Sequence, residues 1–196
     1  MTDSTAPRGG KRERLVTSAG ERLHRKGVAA TTLADIAQAA DVPVGNVYYY
    51  FKTKDDLVRA VLEAQVDQVE AMLASFETLP QPVDRLKALV RRWDEMRDVI
   101  ARYGCPFGTL ASELDRRDDG LDLEAAGPIR RILEWAEIQI RQLGQPDARE
   151  LAITLFAGVQ GGALLAGALR DPNLMSGQVR HLERWIDTVA ASSTQS

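Results

Sequence analysis

Residues 31–57 read TTLADIAQAADVPVGNVYYYFKTKDDL, and this stretch decides the architecture of the chain. Thr32 with Asp35 three positions on is a helix-start arrangement, in which side chains satisfy amides that lack an intrahelical partner. Leu33, Ile36, Ala37 and Ala40 then recur at helical spacing and predict a short helix with one buried face. Asp41-Val42-Pro43 interrupts it, because proline disfavours helix at the residue before it and suits the first turn of a new one. A second helix over about Val44–Phe51 is too short to persist without packing. Thr53-Lys54-Asp55-Asp56 opens the next, with Thr53 as cap and the acids near the positive helix end. That helix runs through Leu57, Val61, Val66 and Val69 to about Phe76.

The short second helix carries unusual side chains. Gly45 and Asn46 stand at its start, and Tyr48, Tyr49 and Tyr50 follow. A helix that enters the major groove of DNA must present an uncrowded N-terminal end. Gly45 lets the backbone approach, and Asn46 can both donate to and accept from a base edge. Three consecutive tyrosines cannot all be buried on one helix, so some phenols face outward. Those hydroxyls, together with Lys52 and Lys54, suit phosphate oxygens.

Residues 11–60 resemble the DNA-binding domain of the TetR family of bacterial repressors. The pattern rests on Gly27, Thr31-Thr32, Ile36-Ala37, Ala40, Val42, Gly45, Tyr48, Phe51, Lys54 and Leu57, with Ala19 and Leu23 in the preceding helix. Two positions depart from it: His24 stands where the family usually has an aromatic such as Phe, and Pro43 where a small polar residue is common. The resemblance implies an all-α homodimer whose two heads sit in adjacent major grooves of a palindromic operator. It places Val44, Gly45 and Asn46 at the bases, and Thr32, Tyr48, Tyr49, Lys52 and Lys54 on the phosphates. It also implies a small-molecule effector that binds the body and releases the double-stranded DNA. Residues 103–110, YGCPFGTL, resemble the body of the LmrA/YxaF-type multidrug-pump repressors over a shorter span.

The rest of the chain reads as helix throughout, with no strand-like alternation. Helices are expected at Lys11–Lys26, Val83–Arg102, Phe107–Leu114, Leu123–Leu143 and Asp147–Leu169, and over a last segment after Pro172 carrying Val179, Leu182, Trp185, Ile186 and Val189. With the three helices and caps of residues 31–76, this makes about nine. The expected organisation is a basic flexible tail at 1–10, a helix-turn-helix domain at 11–58, a ligand-binding and dimerisation domain at 59–190, and a frayed tail at 191–196. Trp93, Met96, Phe107, Trp135, Phe156 and Gln160 either line an effector cavity or fill the body core. Gly158, Gly161, Gly162 and Gly167 suit close helix approach, in the body core or, as the favoured expectation, at a subunit contact with the last helix.

Composition narrows the class further. The 196 residues are 44% hydrophobic, enough for a sizeable core, and 27% charged, as a solvated surface requires. Residues 1–60 hold ten Lys/Arg against seven Asp/Glu, so the head carries +3 while the remainder of a chain of net charge −3 carries −6. A basic head on an acidic body directs DNA to one end. Cys105 is the only cysteine and is expected to be a small buried hydrophobe, which excludes an intrachain disulfide and a cysteine metal cluster. His24 and His181 have no second ligand at metal spacing, so neither a metal nor a cofactor is expected. No nucleophile elbow, phosphate loop or dinucleotide fingerprint is present, so an enzyme is not expected. Met1–Arg14 lacks an apolar stretch and no uninterrupted apolar run nears about 18 residues, so the expected location is the cytoplasm, without a membrane. The effector is expected to be small and lipophilic, from the apolar, Trp-containing body.

Overall fold

The computed structural model describes residues 10–192. Residues 1–9 of the expected basic tail and 193–196 of the expected C-terminal tail lie outside the described residues. Among the described residues there are eleven helices and no strand. They are α1 (Lys11–Lys26), α2 (Leu33–Ala39), α3 (Val44–Tyr50), α4 (Lys54–Phe76), α5 (Pro82–Glu95), α6 (Arg97–Tyr103), α7 (Pro106–Leu114), α8 (Leu121–Ala125), α9 (Gly127–Gln142), α10 (Ala148–Leu169) and α11 (Pro172–Ser192).

Two of the expected helices are each divided, which accounts for eleven rather than nine. The segment expected as one helix over Val83–Arg102 breaks at Met96, whose φ −96° and ψ 7° leave helical geometry. The segment expected from Leu123 starts earlier, at Leu121, and breaks at Ala126 ahead of Pro128. Pro128 has no N–H to offer and fits only a first turn, so it restarts the helix rather than continuing it. At the other end, Ala191 and Ser192 belong to α11 and not to a frayed tail.

Two apolar cores form. The larger lies in the body, where α5, α9, α10 and α11 bury Trp93, Ile132, Leu155, Val159, Met175 and Ile186. The smaller gathers α1 to α4 around Leu15, Ile36, Val47 and Leu57. It also takes in Leu110 and Leu114 of α7 and Leu121 and Ala125 of α8. The head is therefore sealed by residues far along the chain, and α4 runs unbroken from one core to the other.

Within the body, glycine sets how closely helices approach. A Cβ on Gly158 would stand 2.9 Å from Leu182 Cδ2, and one on Gly162 would stand 2.8 Å from Gln178 Cγ. These two glycines, expected at a subunit contact, are occupied by α11 of the same chain, and Leu182 and Val189 are likewise buried there. Gly167 faces the Ile100 carbonyl, while Gly161 has open space. Helix α10 is long and apolar enough to cross a membrane by length and composition alone, with mean hydropathy 1.7 over an 18-residue window. It nevertheless packs on α5, α6, α9 and α11, which uses its inner face as body core.

Candidate nucleic-acid interface

Helix α2 starts at Thr32 with the capping box that its sequence spells. The Thr32 hydroxyl accepts from the Asp35 amide at 3.1 Å, and the Asp35 carboxylate accepts from the Thr32 amide at 3.1 Å. The same carboxylate accepts from the Thr32 hydroxyl at 2.6 Å, and these bonds, the hydroxyl first, hold the Asp35 carboxyl below the usual carboxylate range. The exposed Thr32 side chain thus spends its hydroxyl on the cap.

The turn after α2 is made by Asp41 ahead of Pro43. Asp41 adopts the left-handed region at φ 51°. The Val42 amide donates to the Ala37 carbonyl at 3.0 Å and the Asp41 amide to the Gln38 carbonyl at 3.3 Å. This pair of bonds is a Schellman closure, which normally takes glycine and tolerates a short polar side chain. From α1, the Arg14 guanidinium donates to the Asp41 carbonyl at 3.4 Å.

Helix α3 is held by few anchors. Val47 is fully buried, and Val42 and Phe51 are buried on either side of the helix. The opposite face is open: Val44 is 46% exposed, Tyr48 53% and Tyr49 77%, and a Cβ on Gly45 would meet nothing within 4 Å. Residues 45, 48 and 49 follow i, i+3, i+4 spacing and so share one face. Asn46 is half-buried beside it. Tyr50 packs edge-on against Tyr49 with ring centres 5.0 Å apart, which stiffens the aromatic group.

The two lysines part company. The exposed Lys52 ammonium donates to the Tyr48 carbonyl at 3.2 Å, at the end of α3. The Lys54 ammonium is partly buried and donates to the Val28 carbonyl in the loop between α1 and α2. The residues expected at DNA therefore form a contiguous outward group at Val44, Gly45, Asn46, Tyr48, Tyr49 and Lys52, flanked by a capping Thr32 and an inward-tied Lys54. Arg12, which the sequence reading did not single out, stacks over Phe51 at 5.4 Å and adds a cation beside the end of α3. Its signal was only the basic run at the start of α1.

Two acids beside this surface are engaged. Asp56 completes the α4 capping box with Thr53, accepting from the Thr53 amide at 2.9 Å. Asp55 takes a bidentate pair from Arg117 at 3.0 and 2.7 Å. That pair is also a polar tie between head and body, as are two others. His24 Nε2 donates to the Gly104 carbonyl at 2.9 Å, and the Glu113 carboxylate accepts from the Ala29 amide at 3.0 Å.

In the body, the six effector candidates do not share one space. Trp93, Phe107 and Phe156 cluster edge-to-face, 6.5 and 5.5 Å from the Trp93 ring centre, with Met96 packed against the same core. Trp135 stacks instead on Phe76 at 6.1 Å and donates from Nε1 to Glu77 at 3.2 Å. Only Gln160 of the six lines an open cleft of about 810 Å³ between the α1 terminus, α6, α7 and α10. Cys105 is buried as expected and lies 3.5 Å from Gln160 Nε2. Among the described residues no cluster of His, Cys, Asp and Glu could hold a metal.

A capped helix, a tight turn and an outward-facing second helix on a helical body define a helix-turn-helix transcriptional regulator. The comparisons with known proteins agree. The chain matches the family description "Bacterial regulatory proteins, tetR family" over residues 15–61, and "Tetracyclin repressor-like, C-terminal domain" over residues 82–182. The chain belongs to the TetR family. It is similar to the HTH-type transcriptional regulator TtgR of Pseudomonas putida, with 29% identity over 189 residues covering 90% of this chain and 88% of the relative. YxaF of Bacillus subtilis, an HTH-type regulator, is a more distant relative at 23% identity, covering 84% of this chain and 88% of its own. A TetR-family regulator from Agrobacterium tumefaciens superposes with TM-score 0.79 at 25% identity, covering 89% of this chain and 96% of the other.

Proposed function

We propose that the chain is a ligand-responsive repressor that binds a palindromic double-stranded operator as a homodimer. The observation that carries the reading is the outward face of α3, where Gly45 meets no covering element and Val44, Tyr48 and Tyr49 are exposed while Val47 and Phe51 fix the helix from behind. Val44, Gly45 and Asn46 read base edges. Tyr48, Tyr49 and Lys52 grip phosphates, and Lys54 holds the loop that positions the cap at Thr32.

Dimerisation is assigned to the outer face of α10. Ile153, Leu164, Leu165 and Leu169 are 46%, 72%, 54% and 66% exposed, with Ala157 and Gly161 completing a stripe at helical spacing. An apolar stripe of this kind on an acidic, water-facing body calls for a second copy. A small lipophilic effector acts from the body through the ties at His24, Glu113 and Arg117, which set where the head sits. The chain acts in the cytoplasm and carries no enzymatic activity.

A gel-shift with the DNA upstream of the protein's own gene tests the reading. The parent protein is expected to retard it, and Tyr49→Ala to lose at least about tenfold in affinity with helix content unchanged, since Tyr49 packs on little but Tyr50. Retention of full affinity by Tyr49→Ala contradicts the site. Failure of the parent to enrich any sequence from a random duplex pool contradicts the function.

A further inference from the structure

We propose that the cleft of about 810 Å³ takes an organic anion, with its acid group among Arg25, Arg102 and Arg170 and its apolar part against α7 and α10. This rests on the reading of the chain as an effector-responsive regulator, and it names the effector's chemical class. Every ionisable acid or base lining the cleft, apart from Tyr103 and Cys105, is an arginine, and no carboxylate lines it. Elsewhere several arginines, among them Arg59, Arg91, Arg92, Arg117, Arg131 and Arg141, each hold a carboxylate. Among the described residues no ion pair involves Arg25, Arg102 or Arg170. Three guanidiniums without a carboxylate partner around one opening make a local field that an anion relieves.

The arginines are positioned rather than loose. Arg25 and Arg102 lie 5.5 and 5.2 Å from the centre of the Tyr103 ring, one from α1 and one from α6. Arg170 donates to the carbonyls of Ala101 and Arg102, which brings a third cation to the end of α6. Helix α7 begins here without a side-chain cap, so the positive end of its dipole adds to the field. Ile129, Ala163 and Cys105 supply apolar wall. Among the described residues the Gln160 side chain bonds the weak acceptor Cys105 Sγ at 3.5 Å, leaving its carbonyl oxygen and second amide hydrogen for a ligand. Gly108 keeps this amide in the cleft, because a Cβ there would stand 2.6 Å from Gln160 Oε1. The volume suits a ligand larger than an inorganic ion.

The site also explains how occupancy reaches the head. Arg25 belongs to α1, whereas Arg102 and Arg170 belong to the body, and His24 beside Arg25 is already bonded to Gly104 in the cleft wall. An anion bridging these guanidiniums draws the end of α1 toward α6 and so reorients α2 and α3.

Calorimetric titration of the full chain, without DNA, tests the proposal with matched probes: decanoate against decanol, and 2-naphthoate against 2-naphthalenemethanol. At least one acid is expected to bind about tenfold or more tighter than its alcohol, as a charge-assisted pair would give. In Arg25→Gln/Arg102→Gln this preference should vanish, while the melting temperature without ligand stays near the parent's. Equal binding of acid and alcohol, undiminished acid binding by the double variant, or binding of neither acid overturns the proposal. Because no duplex is present, a reading head that fails to bind DNA leaves these outcomes unaffected, and the two failures remain distinguishable.

Discussion

Replacing Gly104 by alanine tests the hinge between α6 and α7, where head and body meet. Gly104 has φ 81° and ψ −179°, a region that essentially only glycine occupies, and placing a side chain there costs about 1–3 kcal/mol. A Cβ would in addition stand 2.4 Å from Thr109 Cγ2, and overpacking of that kind costs about 1–3 kcal/mol. The sum is roughly 2–6 kcal/mol, which for a chain of this size lowers the melting temperature by roughly 5–20 °C. The two contributions separate experimentally. Thr109→Ser removes Cγ2 but keeps the hydroxyl that donates to the Cys105 carbonyl at 2.7 Å. Urea denaturation of the parent, both single variants and the double variant forms a cycle in which Thr109→Ser recovers the steric part and leaves the backbone part of about 1–3 kcal/mol. A Gly104→Ala variant within about 0.5 kcal/mol of the parent, a change typical of an unconstrained surface site, refutes the reasoning. So does a cycle with no recovery.

Three other outcomes are expected. Asn46→Ala should change which bases are preferred while leaving the salt dependence of binding near the parent's, and selection from a random duplex pool reads this directly. Thr53→Ala removes the hydroxyl that accepts from the Asp56 amide at 3.0 Å and should cost about 1 kcal/mol in denaturant titration, with an unchanged stability speaking against the cap. Asp35, held by the Thr32 hydroxyl, and Asp119, held by Arg117, both have carboxyls below the usual range. A depressed carboxyl contributes stability that is complete above the unfolded-state value and is lost as pH falls through the folded one. Acid titration below the ordinary carboxylate range should therefore destabilise the parent more than a Thr32→Val/Arg117→Gln variant, which lacks both partners.

The head was legible because its signals are local. The capping residues Thr32 and Thr53 and the spacing of Ile36, Ala37 and Ala40 sit within a few residues of what they determine, and α1 occupies the expected Lys11–Lys26. The break at Met96 was not legible. Trp93 and Ile100, seven residues apart, keep helical phase across it, so the apolar pattern runs on while the backbone does not. The left-handed Asp41 was masked by Pro43, which accounts for the same interruption more conspicuously. The destination of Lys54 depends on a carbonyl 26 residues away, and the arginine cleft assembles residues 25, 102 and 170. Such groupings are set by packing, and no spacing in the sequence encodes them.

The account stands on α3 entering a duplex. Amide hydrogen exchange of the full chain, with and without a duplex recovered by selection, measures this most directly. Slowed exchange confined to residues 44–53 and the segments flanking them is the predicted result. Slowing restricted to α9, α10 or α11, with residues 44–53 exchanging as in the free protein, would contradict it.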